Sequence, residues 1–307
     1  MPQEITLRTV DEVFSELRLS NITRFGDRTM SGWAFRGHSE AGWPLLPSVW
    51  RDDFLTRNSY PNVLIKSLAS DSASKDTPSP TMGHLIRLHQ SRYLGLAERL
   101  ITEHCLMRAF FEMASDIGLL ERSYNWPPVS SKLDPTELVS QPNLPDCTVA
   151  QHYGVPTRLL DWTKDPLTAL AFAIEHAQPP CTIAVWAFDT DSYEQHLQIN
   201  PPTSGTRLTI VRGENATNPY LHAQRGTFTF VQQGDVNYLR TGAFPKVDDH
   251  VPDHMMSKFN IDVTHDSKIY ITQRLIRERR TRAHLMPTLG SCSEVARSMF
   301  SSGMIVH

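Results

Sequence analysis

The densest cluster of chemistry-bearing side chains lies between Gln151 and Ala173, QHYGVPTRLLDWTKDPLTALAFA. Gln, His, Tyr, Arg, Asp, Trp and Thr crowd a span that reads as a strand, a turn and a helix. A plain core strand has no use for so many polar groups, because each is costly to bury unpaired. Such density means either a ligand site or a tight hydrogen-bonded network. His152 is a candidate general base, although such a histidine is more often simply satisfied by its neighbours. Arg158 is placed either to bind a phosphate or to anchor its strand. Further upstream, Arg36 has the planar fork that grips a phosphate bidentately. Its competing role is a structural ion pair with Asp161, which would be costly to break whether or not a ligand binds there. Trp33 and Trp162 read as core before they read as ligand platforms.

Three other clusters carry less. His250 and His254 lie four apart, but Pro252 sits between them and no third ligand is evident, so no metal is expected. Cys147, four residues ahead of the dense segment, has no basic activator and reads as an ordinary thiol. From Lys268 to His284, Lys268, Arg274, Arg277, Arg279, Arg280 and Arg282 oppose the single acid Glu278. On a helix these charges wrap around, and Tyr270 is the only aromatic among them. That pattern favours a solvated face over nucleic-acid docking.

The elements that must position these residues follow from periodicity and caps. Thr9 to Leu19 reads as a short amphipathic helix, with Thr9 and Glu12 as a capping box. Trp33 to Gly37 reads as a strand. Ser67 to Pro80 is Ser/Asp/Pro-rich and reads as a mobile loop. Leu85 to Leu120 reads as one long helix or two, ending near Gly118. The stretch from Trp126 to Pro145 is proline-rich and reads as loop, with room for a short helix. Arg158 to Thr163 reads as a strand, followed by a helix capped by Asp165 and started by Pro166. Thr182–Phe188, Arg207–Arg212, Gly226–Val231 and Lys258–Val263 read as strands. Thr272–Arg282 reads as a helix, and Ser291 with Glu294 caps a last helix to about Met299. Helices first and mostly strands later predict an α+β fold with a mixed or antiparallel core and a helical N-terminal half.

Composition narrows the class. Of 307 residues, 40% are apolar before glycine is counted, and the 15 glycines lift this to about 45%, enough for a core. The length allows two domains or one large one. No apolar run approaches the length a membrane span needs. The first residues, MPQEITLRTVDEVF, lack the pattern of a secretory signal. The four cysteines are scattered, and none forms a CxxC pair. Reduced thiols in a cytoplasmic protein are therefore expected. A formal net charge of −3 gives no global field toward nucleic acid.

The Gln151–Ala173 segment resembles the signature of the FRG domain family. Other parts of that family's pattern occur in order. Phe35-Arg36-Gly37 stands behind Trp33 and ahead of Leu46-Pro47-Ser48. An apolar helix containing Glu103 and Phe110-Phe111 follows. Ala223-Gln224-Arg225-Gly226-Thr227-Phe228 resembles the family's Q-x-G-x-F element, and Met286-Pro287-Thr288-Leu289 its closing motif, where acids common in the family are missing. The resemblance spans about residues 9–300 as a single domain. A remoter similarity, to the Arg/Ser-Thr-Ser class of ADP-ribosyltransferase folds, rests on Phe35-Arg36-Gly37, Asp161-Trp162-Thr163, Ala169 and Phe172-Ala173.

That similarity implies a split-sheet fold and chemistry on NAD. Arg36, flanked by Phe35 and Gly37, would clamp phosphate, with Arg158 lining the pocket. Thr163 would bond the nicotinamide ribose or hold the strands around it, and Tyr153 or Trp162 would stack on the nicotinamide. Breaking the glycosidic bond needs a carboxylate to polarise the ribose. The expected position, near Gln224, is not acidic, and Gln224 can only hydrogen-bond. Asp161, Glu103 and Glu214 are the alternatives, with His152 as a base. The expectation is an ADP-ribosyltransferase modifying an unknown protein or nucleic-acid target. A toxin or phage-defence role with a neutralising partner protein would suit that chemistry. The alternative is a non-catalytic nucleotide- or partner-binding module.

Overall fold

The computed structural model describes residues 2–26, 32–58, 80–119, 142–202, 205–212 and 226–285, with Cys292 and Val295. The described residues form seven strands: β1 Gln3–Leu7, β2 Trp33–His38, β3 Leu160–Thr163, β4 Cys181–Asp189, β5 Arg207–Val211, β6 Gly226–Gln232 and β7 Met256–Val263. The helices are α1 Val10–Glu16, α2 Ile22–Phe25, α3 Phe54–Arg57, α4 Pro80–Leu88, α5 Gln90–Asp116, α6 Leu144–His152, α7 Pro166–Glu175, α8 Thr190–Ile199, α9 Gly234–Thr241, α10 His265–Arg277 and α11 Arg282–Leu285. The strands form one mixed sheet in the order β1-β7-β4-β2-β3-β6-β5. Only the edge strand β1 pairs in parallel, with β7; the other neighbours are antiparallel. The expected α+β class and mixed core are observed. Among the described residues, no helix is long and apolar enough to cross a membrane.

Each face of the sheet buries its own core. Phe35, Ile183, Val185, Phe259 and Ile261 point to one side, under α1, α7 and α10. Ala34, Trp162, Ala184, Trp186 and Phe188 point to the other, under the 45–54 segment and Tyr193 of α8. This alternation is the period-two signature of a strand buried on both faces. Gly37 serves the first face. A Cβ built there would lie 2.0 Å from Ala169 O and 2.8 Å from Ala173 N. Helix α7 therefore sits on β2 closer than any side chain would allow, and its small residues Ala169 and Ala173 match.

Pairing fails at one place in the sheet. β2 pairs with β4 over six residues, from Trp33 to His38. β3 pairs with β6 over four, from Leu160 to Thr163. Between β2 and β3 there is a single bridge, Phe35 opposite Thr163. Past it the two strands part.

Several elements depart from the sequence expectations. Arg158 and Leu159 precede β3 rather than belonging to it. Gln151 and His152 end helix α6, so the dense segment is helix end, turn, strand and helix. The long apolar stretch, by contrast, is as expected: of the two alternatives it is two helices, breaking at His89, and it ends at Asp116, close to Gly118. The helix expected over 272–282 starts earlier, capped by Thr264, and stops at Arg277, followed by Arg279 in the left-handed region at φ 54°. Its first turns, carrying Ile269, Tyr270 and Ile271, look strand-like by composition, and the cap overrides that preference. Strand β1 and helices α8 and α9 were not expected at all. The 67–79 stretch, most of the proline-rich segment, Glu214, Gln224 and the closing motif with its last-helix cap Ser291–Glu294 lie outside the described residues.

Candidate functional site

A cleft of about 480 Å³ opens where β2 and β3 part. Arg36, on β2, closes its inner end. Its Nη1 donates to Asp161 O at 2.7 Å, a carbonyl on the strand that has parted from β2. Nη1 also lies 2.7 Å from Asp161 Oδ1. The Arg36 side chain is 12% exposed and that of Asp161 59%, so the pair faces the cleft rather than the core. Gln151 Nε2 donates to Asp161 Oδ1 at 3.0 Å, and Thr157 Oγ1 donates to Gln151 Oε1. Desolvation in the cleft works against the charged form of Asp161, but the Arg36 charge and hydrogen bond outweigh it and hold the carboxyl below its usual range. Asp161 is an anion at neutral pH.

His38 stands behind Arg36. Arg36 Nε donates to His38 Nε2 at 3.1 Å, so that nitrogen carries the lone pair. Burial, then the charges of Arg36 and Arg51, push the imidazole from its ordinary 6.5 down to about 3. His38 thus binds fewer protons folded than unfolded, and stability is lost as pH falls from about 6.5 toward about 3. Melting temperatures measured between pH 7 and pH 4 should decline more steeply for the wild type than for His38→Gln, which keeps an acceptor without a titrating ring. Parallel curves would remove this role from His38.

The cleft walls are mixed in character. Among the described lining residues, Arg36, Arg51 and Arg282 are cationic and Asp161 is the one carboxylate. Tyr153 is 47% exposed and Trp43 is 40% exposed, giving the rim two accessible aromatic faces. The Tyr153 ring packs against Phe110 at 5.7 Å. His152 also lines the cleft. Burial pushes its pKa down against the pull of Asp161, so it is neutral at physiological pH. Cationic walls with exposed aromatics suit an anionic ligand that carries a flat ring.

Not every expected residue reaches this cleft in a usable form. Trp162 lines its floor but is 3% exposed, and its Nε1 donates to Thr229 Oγ1 at 3.0 Å, so it is core. Thr163 Oγ1 accepts from Asp165 N at 3.2 Å and shapes the turn into α7. Phe35 is fully buried on the opposite face from Ala34, and Gly37 is there for α7, so of that triplet Arg36 alone offers a polar group. Arg51, His38, Trp43, Gln151 and Arg282 were missed. They come from separate loops and elements, and only Gln151 belonged to the segment that drew attention.

Arg158 and Glu103 need correction. Neither lines the cleft. Arg158 Nε lies 2.7 Å from Glu103 Oε2, and its Nη1 lies 2.7 Å from Asp235 Oδ2, with all three side chains at most 5% exposed. Glu103 Oε1 also accepts from Arg158 N at 2.9 Å, and Trp50 Nε1 donates to Asp235 Oδ1 at 2.9 Å. Burial pushes Glu103 upward against the pull of Arg158. This network ties α5, α9, the 48–50 turn and the approach to β3 together, which is structural work.

Three cations of the basic run form ion pairs, while Arg277 and Arg279 are exposed. Arg274 pairs with Asp11 at 2.6 Å, Arg282 with Glu175 at 2.9 Å, and Arg280 with Asp165. These pairs fasten the C-terminal helices to α1 and α7. His250 spends its ring nitrogens on Lys246 O at 2.9 Å and Thr206 Oγ1 at 2.7 Å.

The family model of the FRG domain matches residues 126–181. That span carries Gln151, His152, Tyr153, Arg158 and Asp161 through Thr163, and it ends before most of β4. No curated protein and no solved structure matches the chain.

Proposed function

From an FRG domain over residues 126–181, we propose that the chain is an ADP-ribosyltransferase-like protein that takes NAD in the cleft between β2 and β3. The observation that carries this reading is the Arg36–Asp161 pair, a guanidinium and an ionised carboxylate side by side at the open part of a split sheet. Arg36 offers donors to the pyrophosphate, and Tyr153 a face to the nicotinamide. In the reaction, the bond between ribose C1′ and the nicotinamide nitrogen breaks. Nicotinamide leaves neutral with the electron pair, and Asp161 stabilises the oxocarbenium-like ribose. A nucleophile of the target, protein or nucleic acid, attacks C1′ and gives its proton to neutral His152. Uncontrolled NAD consumption harms a cell, so a toxin or phage-defence role with a neutralising partner fits this chemistry.

A second reading draws on one observation. Asp161 is already engaged by Arg36 and Gln151, which suits a module that binds a nucleotide without cleaving it. Incubating the protein with NAD and following free nicotinamide by mass spectrometry separates the two. Release that is lost in Arg36→Ala supports the transferase. Binding without release leaves the binding module.

A further inference from the structure

The loop that carries Arg51 is anchored from several sides. Ser48 Oγ donates to Thr157 O and accepts from Thr157 N, both at 3.2 Å. Trp50 Nε1 reaches the buried carboxylate of Asp235 at 2.9 Å. Arg99, on α5, donates through Nη1 to Val49 O at 2.8 Å and to Arg51 O at 2.7 Å. The Arg51 guanidinium is itself oriented by an Nε bond to Leu46 O at 3.1 Å. Together these bonds fix both the backbone and the direction of a side chain that lines the cleft.

The charge held there is not balanced in the way its neighbours are. Arg36 is matched by Asp161 and Arg282 by Glu175, at 2.7 and 2.9 Å. Arg51 forms no ion pair with a described residue. Burial, then the nearby Arg36, lower its pKa against the weaker pull of Asp161 and Asp53. Two guanidinium groups thus share one cleft with a single described lining carboxylate, Asp161, and an anion that spans both would balance the second charge.

We propose that Arg51 and Arg36 form a two-guanidinium clamp for a pyrophosphate, so that the cleft selects nucleoside diphosphates and their dinucleotide derivatives over monophosphates. This deepens the NAD reading and rests on the cleft being a nucleotide site. Each phosphoryl group takes one fork, and a monophosphate satisfies only one of them at a time. Arg99 is a positioning residue that acts through the Arg51 backbone.

The test is calorimetric titration of wild type and Arg51→Gln with ADP, AMP and inorganic pyrophosphate, each protein also melted to show a folded state. The wild type should bind ADP roughly 10- to 100-fold tighter than AMP. Inorganic pyrophosphate should displace ADP. Arg51→Gln should bring ADP to within a few-fold of AMP. Arg51→Lys, which keeps the charge but not the fork, is the second variant if the Gln protein does not melt cooperatively, and it should lose most of the same preference. Equal ADP and AMP affinities in the wild type, or an ADP preference that survives in the variant, overturns the clamp. A preserved ADP preference without nicotinamide release from NAD leaves the clamp standing and removes the transferase reading. Nicotinamide release with NAD affinity unchanged in Arg51→Gln does the reverse.

Discussion

Replacing Arg158 by alanine is expected to lower the melting temperature by about 5–8 °C, because it leaves two buried carboxylates facing each other without their cation. Glu103 and Asp235 are both nearly inaccessible, and both bond to this one guanidinium at 2.7 Å. Breaking such a pair typically costs about 3–5 kcal/mol. The loss would be felt by α5, α9 and the Arg51 loop together, since Trp50 shares Asp235. Scanning calorimetry reads it directly. A variant that melts with the wild type but loses ligand binding would show that Arg158 is a ligand contact after all.

Asp161→Asn is expected to do the opposite: keep the fold and remove the chemistry. The amide is isosteric, Asp161 is half exposed, and the backbone carbonyl that accepts from Arg36 is untouched. In the proposed reaction, what disappears is the negative charge beside the forming oxocarbenium. Loss of one such electrostatic contact costs about 100-fold or more in rate. Nicotinamide release should fall by that factor while the melting temperature stays near wild type. Release at the wild-type rate would mean that another group supplies the carboxylate.

The sequence was most legible where local chemistry decides structure. The capping box of Thr9 and Glu12, the Asp165–Pro166 helix start and the apolar run of β4 each declare themselves within a few residues. Of the cleft, Arg36, Asp161, His152 and Tyr153 were visible because three of them crowd one segment. Arg51 was not, because what makes it notable is its place in the cleft with no ion pair to a described residue, which no spacing encodes. Arg158 and Glu103 misled for the same reason. A buried ion network and a ligand site draw on the same residue types, and only burial tells them apart. Strand β1 was missed because it is a short edge strand held by pairing with residues more than 250 positions away.

The most direct measurement is calorimetric titration of the purified chain with NAD. Saturable binding near one molecule per chain, weakened strongly in Arg36→Ala while that variant still melts cooperatively, is the expected result. No heat of binding up to millimolar NAD would contradict it, leaving the Arg36–Asp161 pair as a structural latch between β2 and β3.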